Sequence, residues 1–208
     1  MSDMDLPDPA RTTRIALLFE CGLGVAALVI GWLVGQWPFV GMGTTSNLVP
    51  GQLVAVGWGL AATGPLLAVL LIIDRVPIGP LRHLRDMTAE VILQMFGGAS
   101  VAQLAAVAIA AGFGEELLFR GLVQAGLSRL ILDPFAPWIA LAAASALFGI
   151  CHWLNTTYAI LAMLAGAYFG LIFVATGSLW TPIVAHAAYD LVALLYLVRP
   201  KNLLRSKV

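Results

Sequence analysis

The sequence predicts an all-α protein: a polytopic transmembrane helix bundle with about six spanning helices and one interfacial helix. Three observations carry this. Of the 208 residues, 61% are hydrophobic and 11% charged, against roughly 25% charged in a soluble domain. The mean hydropathy is +0.94. The apolar residues fall in runs close to the roughly 20 residues that a helix needs to cross a bilayer, divided by short stretches of turn and charged residues. The formal net charge is zero, so nothing attracts a polyanion and nucleic acid is excluded as a partner. The lipid bilayer is the first partner implied.

Residues 1–13 read as a polar tail with Pro7 and Pro9; Asp3, Asp5 and Asp8 argue against a signal peptide. The first span is expected over Ile15–Trp37. It contains Glu20, which the sequence assigns to the interface or to a pair with Arg14. Pro38–Gln52 carries no charge and reads as a loop. Leu53–Ile73 is the second span, and Asp74–Asp86 a polar connection broken by Pro77 and Pro80. Met87–Phe96 mixes Val91, Ile92, Met95 and Phe96 with Thr88, Glu90 and Gln94, the pattern of an interfacial helix. Gly97 and Gly98 allow a bend into a third span over Val101–Leu130. Trp138–Trp153, Tyr158–Ala175 and Leu179–Val198 complete the set. Ala162, Gly166 and Gly170 give the fifth span a small-residue face suited to close packing. Cys21 and Cys151 lie in apolar runs and read as small buried residues. The chain thus divides into the tail (1–13), N-terminal helices (14–98), a membrane core (99–199) and a basic tail (200–208).

Basic residues set the orientation. With the N-terminus in the cytoplasm, Arg11, Arg14, Arg75, Arg82, Arg85, Arg199, Lys201, Arg205 and Lys207 all lie inside, and only Arg129 lies outside. A multi-pass cell-membrane protein with both termini cytoplasmic follows.

Ionisable residues inside a membrane are costly and mark function by default. Within the spans these are Glu20, Glu115, Glu116, Arg120, His152, His186 and Asp190. Glu116 and Arg120 stand at i and i+4 with the carboxylate first, the favoured order for an ion pair. Glu115 points about 100° away from Glu116. It is left without a partner on its own helix, in the position of a general base or acid; the two roles are exchanged if other helices supply the partners, so Glu116 also counts among the candidate catalytic residues. Phe148 and His152 repeat the i, i+4 spacing, so the ring walls one side of the imidazole. His186 and Asp190 do so again, and Asp190 is placed to fix the tautomer of His186. No His-Glu-x-x-His occurs.

The three motifs carry a resemblance. Glu-Glu-x-x-x-Arg (Glu115, Glu116, Arg120), Phe-x-x-x-His (Phe148, His152) and His-x-x-x-Asp (His186, Asp190) resemble those of CPBP-family intramembrane proteases. These are the CAAX prenyl endopeptidases and the bacteriocin-processing and abortive-infection (Abi) proteins. Arg120-Gly121 and Gly177-Ser178-Leu179-Trp180-x-Pro182 match as well, and the likeness spans roughly residues 100–195. Asp190 stands where Asn is more usual. The resemblance implies an intramembrane endopeptidase that hydrolyses a membrane-associated peptide or protein, prenylated or bacteriocin-like. Glu115 and His152 would activate a water, and His186 and Asp190 would hold the oxyanion or a metal. No cofactor is fixed by the sequence. A divalent metal such as zinc, if bound, would fall to Glu115, His152 and His186. The alternative is a non-catalytic membrane immunity factor, scaffold or small-solute carrier that keeps its acids for helix association.

Depth arithmetic poses a difficulty. At about 1.5 Å per residue, Glu115 falls roughly 20 Å from the cytoplasmic end of its span, level with His186. His152, counted from Trp138, falls about 10–15 Å nearer the cytoplasm.

Overall fold

Each helix begins where the local chemistry permits. The computed structural model describes residues 8–40, 42, 48–76 and 78–198, with the backbone alone at 48–50. Helix α1 is Pro9–Leu33. Asp8 caps it, accepting from the Ala10 amide at 3.0 Å, and Pro9 sits in the first turn, where a missing N–H costs nothing. The helix therefore starts six residues before the expected Ile15. Helix α2 is Leu48–Arg75, so the expected loop over 38–52 gives way to helix at Leu48. Helix α3 is Gly79–Phe96 and begins eight residues before the expected Met87, because Pro80 again falls in a first turn. It is too polar to span. Gly98, at φ +91°, makes the bend that follows.

Helix α4, Val101–Leu130, is 30 residues long. Ser100 and Gln103 form a capping box at its start, and Leu117–Gln124 within it is π-helical. Helix α5 is Ala136–Cys151, α6 Thr156–Thr176 and α7 Trp180–Leu197. Among the described residues the fold is all-helical. Five helices are long and apolar enough to cross a membrane (α1, α2, α4, α6 and α7), and α5 is a shorter apolar helix of 10–17 residues. The sequence counted six spans; the fourth of them, expected over Trp138–Trp153, is this shorter helix. The polar tail ahead of residue 8 and the basic tail over 200–208 lie outside the described residues.

Helix α4 is the centre. It packs on α1, α5 and α7, while α2 lies on α7 and α5 on α6. Two glycines make the crossings possible. A Cβ on Gly112 would come within 2.7 Å of the Ala187 nitrogen of α7, and one on Gly114 would overlap the Glu20 carbonyl oxygen of α1. Two apolar clusters flank the acidic doublet along α4. One holds Leu104, Val107 and Ala108 with Phe96 and Leu194. The other holds Leu117, Leu122 and Ala125 with Phe173, Leu179 and Ile183. Outward-facing side chains of α1 and α2 are large and apolar (Leu18, Trp32, Leu53, Trp58), as a lipid-facing surface requires. Cys21 and Cys151 belong to that surface. Both are free and exposed, which corrects their reading as buried residues. Lipid and core are equally apolar, so hydropathy does not tell the two faces apart.

Candidate active site

The doublet ends the α-helical part of α4, at the start of the π segment. Glu116 turns inward and is 0% exposed. Its Oε1 lies 3.0 Å from Arg120 Nη1 and 2.9 Å from His186 Nδ1. Arg120 donates its Nη2 to the Gly166 carbonyl at 2.7 Å, and its guanidinium lies 4.8 Å from the centroid of the Phe148 ring. Gln124, two turns on, donates to the Gly170 carbonyl at 3.2 Å. The small-residue face of α6 thus does more than pack. With no side chain at 166 and 170, the backbone carbonyls stand open to the polar side chains of α4.

Glu115 turns the other way, into a cavity of about 540 Å³ whose wall also carries His152, His186 and Asp190. Its Oε2 is 3.5 Å from His152 Nε2. His152 follows the last residue of α5, stacked on Phe148 with ring centroids 4.2 Å apart. Its Nδ1 lies 2.8 Å from the Phe148 carbonyl. A carbonyl only accepts, so Nδ1 carries the hydrogen, and in the neutral ring Nε2 offers a lone pair toward Glu115. His186 is stacked on Phe169, 4.7 Å away. Its Nδ1 meets Glu116, and its Nε2 lies 3.5 Å from Asp190 Oδ2.

The expected depth mismatch of His152 does not occur. Helices α4 and α5 are joined by the short stretch 131–135, and both histidine and glutamate are better counted from there. Glu115 lies about 15 residues back from Leu130 and His152 about 16 on from Ala136, each some 22–24 Å from the connection. The sequence arithmetic counted the two residues from opposite ends of the bundle. The other site residues are also brought together, but in two layers. Glu115, His152, His186 and Asp190 face the cavity; Glu116 and Arg120 do not reach its wall. His83, the third histidine, stands exposed on α3, away from the site.

One residue at the site was misread. Glu20 makes no ion pair with Arg14 among the described residues. Its Oε2 is buried without a hydrogen-bond partner, its backbone packs on Gly114, and Glu115, His186, Asp190 and His152 all act on it electrostatically. The signal was present. With α1 starting at Pro9, Glu20 lies about three turns into the helix, too deep to reach the interface. The centre therefore holds four carboxylates (Glu20, Glu115, Glu116, Asp190) with one arginine and two histidines.

The residues expected to hold a metal do not converge as ligands. His152 and His186 turn Nε2 toward different carboxylates. Among the described residues no three His, Cys, Asp or Glu are grouped to hold an ion.

Residues 97–192 match the family model described as Rce1-like, type II CAAX prenyl endopeptidase Rce1-like. That segment contains all three motifs, and it runs from the glycine bend before α4 to the middle of α7. The match agrees with the CPBP/CAAX-protease family and supports, at the family level, a CAAX-type intramembrane endopeptidase acting on a peptide substrate. Comparison with curated proteins and with solved structures gives no match.

Proposed function

We propose that this chain, whose residues 97–192 are Rce1-like, hydrolyses a peptide bond of a membrane-associated substrate with a water activated by Glu115 and His152. The observation that carries the reading is their spacing. At 3.5 Å the carboxylate oxygen and the Nε2 lone pair are too far apart for an ordinary hydrogen bond to each other, and near enough to accept both hydrogens of one water. Such a water presents its own lone pair to the cavity. As its oxygen bonds to the substrate carbonyl carbon, Glu115 takes a proton and the carbonyl oxygen becomes an oxyanion. The C–N bond then breaks, and the amine leaves with that proton. His186 and Asp190 line the same cavity, and Glu116, itself paired with Arg120, holds His186 in place through Nδ1.

The donor types present are those of a zinc site, but their arrangement among the described residues does not fit one. Activity that survives chelation supports this. Activity lost on chelation and restored by zinc would show that Glu115, His152 and His186 regroup around the ion.

The orientation is read from charge. Arg85 lines the end of the cavity with Asp74, Tyr196 and Leu197, and Arg75 and Arg82 lie close to it in the chain, at the end of α2 and the start of α3. Basic residues favour the cytoplasmic side, so the cavity opens there. The direct test is cleavage of a fluorogenic peptide with a farnesylated cysteine by the purified protein in nanodiscs, beside the same peptide without the lipid. Glu115→Gln, nearly isosteric, is expected to abolish turnover with little change in Tm. Unchanged turnover in that variant would sink the mechanism.

A further inference from the structure

We propose that a second cleft, at the end of the bundle away from Arg85, binds the headgroup of an anionic phospholipid. It is a cavity of about 220 Å³ between the end of α4, the start of α5, the end of α6 and Val40. Two polar side chains of its wall have nothing to bind. Ser128 and Arg129, in the last turn of α4, make no side-chain hydrogen bond or ion pair among the described residues. The third polar residue of the wall, Gln124, donates its Nε2 to the Gly170 carbonyl.

Arg129 is the only arginine or lysine of this end among the described residues. The nearest acid in the chain, Asp133, does not neutralise it. Asp133 Oδ1 accepts from the Phe135 amide at 2.7 Å, which closes the turn into α5. The cation is therefore left for an anion from outside the protein. A guanidinium beside a hydroxyl offers the several N–H and O–H donors that a phosphate group takes.

The surroundings favour a lipid over a dissolved anion. Val40, Ala125, Pro137, Phe173 and Val174 make the rest of the wall. Beside it, Leu130, Phe135 and Trp138 are exposed, and Leu132 is 99% exposed. Large apolar and aromatic side chains at the end of spanning helices belong in the interfacial layer of a bilayer, where an arginine reaches the headgroups. Val174 and Leu171, one turn apart on α6, are both exposed and carry the apolar surface on from the cleft, where acyl chains would lie. The cleft is smaller than the roughly 300–1,000 Å³ that encloses a small molecule. It suits a headgroup whose tails stay in the bilayer.

The test uses phosphatidylglycerol and phosphatidylcholine, each with a photoactivatable diazirine on an acyl chain, in nanodiscs carrying the purified protein. Mass spectrometry of the crosslinked peptides locates the lipid. Phosphatidylglycerol should label the peptides around Pro137 and Val174 about fivefold more than phosphatidylcholine, the preference that one interfacial cation confers. Arg129→Gln should bring the two lipids to within about twofold of each other there, with labelling near Arg82 and Arg85 unchanged. Its Tm in phosphatidylcholine nanodiscs should equal that of the parent, since Arg129 holds no other part of the protein. Equal labelling by both lipids in the unaltered protein, a preference that survives Arg129→Gln, an equal loss near Arg82, or a lowered Tm would each overturn the assignment. So would displacement of the lipid by a large excess of inorganic phosphate, which would make the cleft a site for the free anion.

Discussion

A buried guanidinium shared between Glu116 and the Gly166 carbonyl has no water to turn to when a partner is removed. Arg120→Leu leaves Glu116 with His186 alone, and breaking a buried pair in this way costs about 3–5 kcal/mol. We expect a large fall in Tm in detergent and in membrane abundance. Removing both charges together costs less than stranding one, so Arg120→Leu with Glu116→Gln should recover part of the loss. A double variant no more stable than the single one would show that Glu116 is held mainly by His186, 2.9 Å away. Glu20 has the opposite sign. Its Oε2 has no hydrogen-bond partner, and its neighbours include two further carboxylates, Glu115 and Asp190. Glu20→Gln removes a repelled charge, and Tm should rise. A lower Tm would mean that the charge of Glu20 is needed to balance the histidines. The i, i+4 pairs of this centre were legible in the sequence because a helix fixes them: Glu116 with Arg120, Phe148 with His152, His186 with Asp190. The pairs that cross helices were not, because Glu115 with His152 and Glu116 with His186 depend on how each helix is rotated about its axis.

Helix α4 owes its place at the centre to glycines that admit neighbouring backbones, and the same positions set what it tolerates. A methyl group at Gly114 meets the Glu20 carbonyl of α1, a backbone atom that does not swing aside, whereas one at Gly22 of α1 meets nothing within 4 Å. Gly114→Ala should therefore destabilise by about 1–3 kcal/mol through overpacking. Gly22→Ala should be neutral or stabilising by up to about 1 kcal/mol through helix propensity. Thermal melts of the two variants separate packing from propensity, and equal shifts would contradict the close α1–α4 crossing. Hydropathy located the spans because length and apolar content are what a bilayer selects. It did not reveal that α4 contains a π segment, since that depends on tertiary packing. Short α5 is what brings His152 to the level of Glu115. The π segment over Leu117–Gln124 carries Arg120, in keeping with the tendency of π turns to occur at functional sites.

At the scale of the whole molecule, charge and cavity point to the same side. Arg75, Arg82 and Arg85 lie where α2 ends and α3 begins, and Asp74 and Arg85 form part of the cavity wall. Arg129 is at the far end, in the last turn of α4. On the proposed orientation the site would open to the cytoplasm, and a substrate peptide would be cut on that side. Two substituted cysteines decide this. His83 on α3 and Asp133 in the 131–135 connection are both exposed and lie at opposite ends of the bundle. The native thiols, Cys21 and Cys151, are exposed on the apolar surface, so replacing both with alanine should leave the fold intact and clear the background. In that protein, His83→Cys should react with a membrane-impermeant maleimide only after the cells are opened. Asp133→Cys should react on intact cells. The reverse pattern would place the cavity mouth outside and remove a cytoplasmic peptide from the candidate substrates. Labelling of both on intact cells would mean that the charge rule does not fix a single orientation for this chain.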